Sequence, residues 1–120
     1  MQFSIDVQPG YLKAEMLERD TAAETAKFVE AIVAALRDKA RSRVLVSVRR
    51  SRPVFKVEEW KLSEALDKVA AIPGLRIAFV SDTRELGMSQ QYIALLGRQR
   101  GLDFEAFATE EPALAWLQRR

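Results

Sequence analysis

Apolar and polar residues alternate at the start of the chain. Residues 3–7, with the sequence FSIDV, place an apolar side chain at every second position. This spacing predicts a half-buried strand, because successive side chains of a strand point to opposite faces. The pair Pro9-Gly10 indicates a turn. Residues 11–18 then predict a second strand, antiparallel to the first, so the chain opens with a hairpin.

Four later segments carry apolar residues at the three-to-four-residue spacing of an amphipathic helix. The first begins with a capping box, in which the Thr21 hydroxyl and the Glu24 carboxylate each accept a hydrogen bond from a backbone N–H of the first turn. The last is predicted to begin after Thr109 as its N-cap, with Pro112 where the first turn still tolerates proline. The predicted helices span residues 21–40, 57–71 and 89–100 and the segment that follows Thr109.

Three apolar segments between these helices predict core strands, at residues 44–48, 75–81 and 103–108. The first, VLVSV, is typical of a strand buried on both faces of a parallel sheet. A loop is predicted over residues 82–88. The order β-β-α-β-α-β-α-β-α predicts one α/β domain over residues 1–120, with a mixed sheet, parallel core strands, right-handed crossovers and about four helices.

The composition excludes several classes of function. The 120 residues include no cysteine, which excludes disulfides, thiolate metal sites and a cysteine nucleophile. They include no histidine, the commonest metal ligand and general base. We therefore predict a protein that is not an enzyme, with no catalytic residues, no metal site and no cofactor.

The charge balance and the hydropathy of the chain indicate which partners and which location to expect. The 19 basic and 17 acidic residues nearly balance, and the basic runs RRSR and Arg119-Arg120 lie far apart without an interleaved aromatic platform. We therefore predict no nucleic-acid partner. No apolar run approaches the roughly 20 residues of a membrane span, and the first ten residues lack the pattern of a secretory signal. We expect a cytoplasmic protein without a membrane span.

Charged and polar residues follow two of the predicted core strands at their carboxyl ends. In open α/β sheets ligands bind at this edge, and arginines beside helix N-termini suit an anion. We hypothesise recognition of an anionic group there, on a phosphorylated partner, a nucleotide or an acidic peptide. Alternatively, the arginines are solvated or paired with Glu58, Glu59 or Glu85. The predicted ligand- or partner-binding residues are Arg49, Arg50, Ser51, Arg52, Glu58, Glu59, Asp82, Thr83 and Arg84.

Asp82 offers a separate, catalytic interpretation. An acid at the end of a strand binds Mg²⁺ together with Glu85 or acts as a base in some proteins. A complete active site needs a nucleophile, a base and an orienting group, and the chain does not supply all three on this loop. A turn in which Asp82 accepts backbone N–H bonds is the simpler interpretation.

Two segments resemble the STAS fold, named for sulfate transporters and anti-sigma-factor antagonists. One is IAFVSDTRELG at residues 77–87, and the other is RGLDFEAFATEEPALAWL at residues 100–117. The likeness is greatest to bacterial STAS-like proteins and covers nearly the whole chain, mainly at core and cap positions. The resemblance implies a non-enzymatic regulatory or protein-interaction module with an unidentified protein partner.

One departure from that family changes the expected mechanism. In anti-sigma-factor antagonists, a serine in an Asp-Ser-Ser-Gly-like motif opens the helix after the third strand, and a partner kinase phosphorylates it. This chain has no such motif, and the position falls at about residues 57–59. The resemblance therefore implies a partner surface over the 49–59 and 82–88 loops without the usual serine switch. Glu58 and Glu59 either imitate a permanent charge or simply cap the helix dipole.

A carrier of a lipid or small apolar ligand is the alternative function. The STAS-like fold is often compared with CRAL-TRIO-type lipid-binding domains. Candidate lining residues for such a pocket are Phe55, Trp60, Leu86, Met88 and Tyr92. Alternatively, Trp60 and Tyr92 belong to the core, because both lie on the apolar stripes of predicted helices. We also expect that the leading edge strand or an apolar helix face supports a homodimer, because an open strand edge invites pairing.

Overall fold

The computed structural model describes residues 2–19, 21–52 and 62–119. These residues form an α/β fold with one five-stranded mixed sheet and four helices, in the element order that the sequence predicts. The strands are β1 (Gln2–Gln8), β2 (Tyr11–Leu17), β3 (Arg43–Arg49), β4 (Arg76–Ser81) and β5 (Asp103–Phe107). The helices are α1 (Ala22–Asp38), α2 (Leu62–Ala70), α3 (Arg84–Gln99) and α4 (Glu110–Leu117).

The sheet follows the chain, with the strands in the spatial order β1-β2-β3-β4-β5. The hairpin of β1 and β2 is antiparallel, and each later strand pairs parallel to the one before it. Gln8 pairs with Tyr11 across the two-residue turn Pro9-Gly10. Gly10 has φ +85°, a conformation that glycine adopts without steric cost, and this explains why the turn fits there.

Two layers of side chains cover the sheet. On one face, Val44, Val46 and Val48 of β3 belong to the main core with residues of α1, α2 and α3. On the other face, Leu45 and Ala78 pack with residues of α4. The prediction that residues 44–48 are buried on both faces is therefore confirmed.

The predicted capping box opens α1. The Glu24 N–H donates to Thr21 Oγ1 at 3.2 Å, and the Thr21 N–H donates to Glu24 Oε1 at 3.0 Å. The helix ends at Asp38, two residues before the predicted end, and Ala40 leaves it with φ +51°.

The prediction for α3 is wrong at its start. The sequence predicted a loop over 82–88 and a helix from Ser89, whereas the helix begins at Arg84. Thr83 is the N-cap, and its side chain accepts a hydrogen bond from the Leu86 N–H. Both Leu86 and Ser89 are buried, so packing against the sheet selects a helix that already includes them.

Two other predicted boundaries concern α2 and α4. The predicted start of α2 and the residues Glu58, Glu59 and Trp60 lie outside the described residues. Thr109 is the N-cap of α4, as predicted, although its side chain makes no capping hydrogen bond.

Candidate functional site

The ends of β2, β3 and β4 meet at one edge of the sheet, which we call the carboxyl edge. It comprises residues 18–19, 49–52 and 81–86. Parallel pairing explains the arrangement, because the carboxyl ends of parallel strands lie side by side. Of the predicted site residues, Arg49–Arg52 and Asp82–Arg84 lie here, whereas Glu58 and Glu59 lie outside the described residues.

Hydrogen bonds lock the end of β3 to the end of β2. The Arg19 N–H donates to Ser51 Oγ at 3.0 Å, and the Arg52 N–H donates to the Arg19 carbonyl at 3.0 Å. Ser51 Oγ also donates to the Arg49 carbonyl at 2.9 Å. The Ser51 hydroxyl therefore both donates and accepts within the fold, and its role is to shape this turn.

A second link joins the ends of β3 and β4. The Arg50 N–H donates to Asp82 Oδ2 at 3.3 Å. Arg50 has φ +46°, a left-handed conformation that costs a non-glycine residue about 1–2 kcal/mol. Asp82 thus accepts a backbone N–H, which belongs to Arg50 at the end of a neighbouring strand rather than to the predicted turn over residues 82–85. Among the described residues, no cluster of three acidic side chains forms a metal site.

The N-terminus of α3 completes the carboxyl edge. Thr83 Oγ1 accepts from the Leu86 N–H at 3.1 Å, and the Thr83 carbonyl accepts from the Gly87 N–H at 3.0 Å. The N–H groups of Arg84 and Glu85 belong to the first turn, where a helix offers no internal acceptor. The positive end of the helix dipole therefore lies next to the arginines of β3.

Three exposed arginines at this edge keep their guanidinium groups available. Arg49, Arg50 and Arg84 make no ion pair with a carboxylate within the part of the chain that the structure describes. Elsewhere arginines pair directly, as Arg76 does with Asp103 at 2.8 Å. The alternative in which Glu85 neutralises these arginines therefore finds no support among the described contacts.

Three shallow depressions divide the predicted site residues between them. The first, about 390 Å³, is lined by Arg50, Arg52 and the start of α3. The second, about 480 Å³, lies on the other side of Arg50 and is lined by Arg49 and Asp82. The third, about 630 Å³, is lined by Asp82 and Arg84. The first depression therefore brings Arg50, Ser51, Arg52 and Thr83 together, and Thr83 also lines the third depression beside Arg84.

Arg19 is a site residue that the sequence did not reveal. It lines the first depression, and only 5% of its surface is exposed. Its Nη2 donates to the Arg52 carbonyl. Burial lowers the pKa of Arg19 from its ordinary value to about 10, and the nearby Glu24 carboxylate partly opposes that change. An arginine directly after a strand usually reaches solvent, so no sequence pattern marks this one as buried.

A partly open pocket of about 90 Å³, which we call the apolar pocket, lies between the sheet and helices α1, α2 and α3. Its lining is mostly apolar, with Arg19, Thr25, Ser89 and Gln90 as polar members. Gln90 Nε2 donates to the Val80 carbonyl at 3.1 Å, while its buried Oε1 has no hydrogen-bond partner among the described atoms.

The residues proposed from sequence for an apolar pocket do not share one cavity. Leu86 lines the apolar pocket between the sheet and the helices. Met88 is 53% exposed and lines the third depression, and Tyr92 packs against the main core. Phe55 and Trp60 lie outside the described residues.

Comparisons with known proteins identify no family for this chain. No described helix is long and apolar enough to cross a membrane. No protein-family model matches the chain, and no curated protein matches its sequence.

Proposed function

We propose that this protein is a non-enzymatic regulatory domain of STAS-like type that recognises an anionic group on a protein partner. The binding site is the first depression of the carboxyl edge. One observation carries the proposal. Arg50 is exposed, forms no ion pair within the described residues, has its backbone held by Asp82, and shares a depression with Arg52 and the first turn of α3.

The chemistry of the depression favours an anion. Three arginines, Arg19, Arg50 and Arg52, line it against two acids, Glu18 and Glu85. Guanidinium groups form bidentate hydrogen bonds with phosphate and carboxylate oxygens, and the N–H groups of a helix N-terminus add further donors. The depression is open and shallow, which suits a group presented on a partner's side chain better than an enclosed cofactor. A phosphoserine and a glutamate share this chemistry.

The STAS-like assignment and a cytoplasmic location belong to the same proposal. The element order, with a leading hairpin followed by alternating helices and parallel strands, supports the assignment together with the two segments that resemble the family. The hydrogen bonds of the polar side chains at the carboxyl edge support a regulatory rather than a catalytic role. Ser51, Asp82 and Thr83 all hold backbone groups within the fold.

A double substitution tests the proposal. In Arg50→Ala with Arg52→Ala, we expect the affinity for a phosphoserine peptide to fall at least about tenfold. Each lost charge-assisted hydrogen bond is worth roughly 1.5–3 kcal/mol, and about 1.4 kcal/mol corresponds to tenfold. The control, Lys27→Ala with Arg37→Ala, removes the same charge from exposed positions of α1. A glutamate peptide distinguishes phosphate from carboxylate recognition. Equal affinities of the two double variants for the phosphoserine peptide would remove the proposal.

The apolar pocket favours a second candidate, the binding of a small apolar ligand. A cavity of about 150 Å³ holds a benzene molecule, so a volume of about 90 Å³ fits a few heavy atoms rather than an acyl chain. This size supports a small molecule as the ligand. Native mass spectrometry of the purified protein tests it, since a retained ligand adds a discrete mass. A spectrum with the bare chain mass alone would argue against this candidate.

A further inference from the structure

The edge strand β1 exposes apolar side chains and an open backbone. It pairs only with β2 in the described sheet. Phe3 is 42% exposed and Val7 is 48% exposed, although large apolar side chains usually lie inside. The strand has no lysine, arginine or proline, and Asp6 is its one charged residue. Natural edge strands usually carry such residues to prevent pairing with another strand, so β1 lacks the usual protection.

The opposite edge strand, β5, differs in this respect. Arg98 Nη1 donates to the backbone carbonyl of Phe104 at 2.9 Å and lies 3.5 Å from the Glu105 carboxylate. Asp103 pairs with Arg76. Charged side chains therefore accompany β5, and the contrast shows that the unprotected edge is specific to β1.

The register of the hairpin decides which backbone groups of β1 are open. Gln8 and Tyr11 flank a two-residue turn, so this pair exchanges both hydrogen bonds. Hydrogen-bonded and non-hydrogen-bonded pairs alternate along an antiparallel ladder. Residues 8, 6, 4 and 2 therefore bond to β2, whereas residues 7, 5 and 3 turn their N–H and C=O groups toward the open edge.

The sequence of β1, QFSIDVQ, is self-complementary about Ile5. In antiparallel pairing of two copies around a two-fold axis at Ile5, Phe3 lies opposite Val7 and Ser4 lies opposite Asp6. Apolar side chains then face apolar ones, and the one charged residue faces a serine. The open groups of residues 3, 5 and 7 also face one another, which allows six backbone hydrogen bonds. Sliding the register by two residues in one direction would place Asp6 opposite Asp6, which is unfavourable.

We propose that β1 is a homodimer interface, in which two copies pair antiparallel about Ile5 to form a continuous ten-stranded sheet. The partner is a second copy of this chain. Two antiparallel copies of β1 place apolar side chains opposite apolar side chains, and their open hydrogen-bonding groups face one another. The exposed Phe3 and Val7 of both copies then share one face of the sheet. This proposal goes beyond anion recognition and does not depend on it.

Cysteine cross-linking tests the register. Positions 4 and 6 are exposed and face away from Phe3, and the chain has no native cysteine. Opposed residues of a non-hydrogen-bonded pair lie about 4.5 Å apart at Cα, within the range of a disulfide. After mixing Ser4→Cys and Asp6→Cys and oxidising, we expect a disulfide-linked species of twice the 13.6 kDa chain mass. Each variant alone should cross-link several-fold less. Equal cross-linking of the separate variants, or none in the mixture, would overturn the proposed pairing.

Light scattering in solution tests the interface itself. We expect a dimer mass for the unmodified chain and a monomer mass for Val7→Lys, because the lysine would face the Phe3 ring of the other copy. The control is Leu95→Lys, which changes a similarly exposed apolar residue on α3 and should leave the dimer intact. Circular dichroism checks that both variants remain folded. A monomeric unmodified chain, or a dimer that survives Val7→Lys, would contradict the proposal.

Discussion

The backbone N–H of Arg50 donates to Oδ2 of Asp82 at 3.3 Å and joins the ends of β3 and β4. Arg50 has a left-handed backbone with φ +46°, and the adjacent Ser51 binds the end of β2. The position of the Arg50 side chain thus depends on contacts from two neighbouring strands. The backbone of Arg50 therefore holds the turn, whereas its side chain is the part that we propose binds the partner.

Substitution of Arg50 should separate stability from recognition. We expect Arg50→Gly to be more stable than Arg50→Ala by about 1 kcal/mol, because glycine adopts φ +46° without the penalty of a side chain. Both variants lack the guanidinium and should lose anion affinity equally. Urea unfolding and peptide binding on the same samples check both statements. A glycine variant no more stable than the alanine variant would contradict this account of the turn.

Asp82 should act on Arg50 through the backbone. In Asp82→Ala the Arg50 N–H loses its acceptor, and we expect a stability loss of about 0.5–1.5 kcal/mol. Asp82→Asn keeps an oxygen acceptor and should lose less. The Arg50 amide should also exchange faster with solvent in Asp82→Ala, which hydrogen-exchange NMR measures. Unchanged exchange at that amide would show that the hydrogen bond does not hold the turn.

Gly97 in α3 is required by close packing against β5. A Cβ atom built on Gly97 would overlap the ring of Phe104. We expect Gly97→Ala to destabilise the protein by about 1–3 kcal/mol through overpacking, despite the higher helix propensity of alanine. Combining it with Phe104→Leu should recover part of that loss. Gly87→Ala is the matched control, because its Cβ would lie 3.4 Å from Ser81 Oγ, at an ordinary contact distance. Equal effects of the two alanines in thermal unfolding would contradict this packing argument.

The contact between β2 and α4 should weaken at alkaline pH. Lys13 Nζ lies 3.0 Å from Glu110 Oε1, and this hydrogen bond raises the pKa of Lys13 above 10.5, against the effect of burial. Because the folded pKa exceeds the unfolded one, the stabilisation is complete below pH 10.5 and is lost as the pH rises through the folded value.

The substitution Lys13→Met measures that contribution. Both side chains are partly exposed, so we expect the substitution to cost less than about 1 kcal/mol at pH 8. The difference from the unmodified chain in urea unfolding should shrink as the pH rises above 10.5. Arg19 acts in the opposite direction, since its folded pKa of about 10 lies below the ordinary value of an arginine and the stability rises as it deprotonates. This effect is common to both proteins and cancels in the comparison. A difference that does not change with pH would contradict the assignment to Lys13.

Hydrophobic spacing predicted the order of all nine elements, because each helix and strand buries one or both faces at its own period. The capping box of Thr21 and Glu24 was also predictable, since its contacts are local. The start of α3 was not. The run DTRELG contains residues typical of turns, and only packing shows that Leu86 lies in the core.

The candidate site was predictable in place and less so in detail. The strand order placed the charged residues at one edge, because parallel strands end together. The burial of Arg19 and the division into three depressions depend on which strand ends touch. Contacts between residues about thirty positions apart, such as Arg50 with Asp82, leave no periodic pattern in the sequence.

An NMR titration with phosphoserine is the sharpest test of anion recognition, because it locates binding at individual residues. We expect saturable shifts of the backbone amides of Arg50 and Ser51 and of the first turn of α3, at Arg84 and Glu85. The amides around Lys27 and Arg37, which are exposed basic residues on α1, should not move. Shifts that do not saturate, or that are as large at Lys27 and Arg37 as at Arg50, would contradict anion recognition at the carboxyl edge.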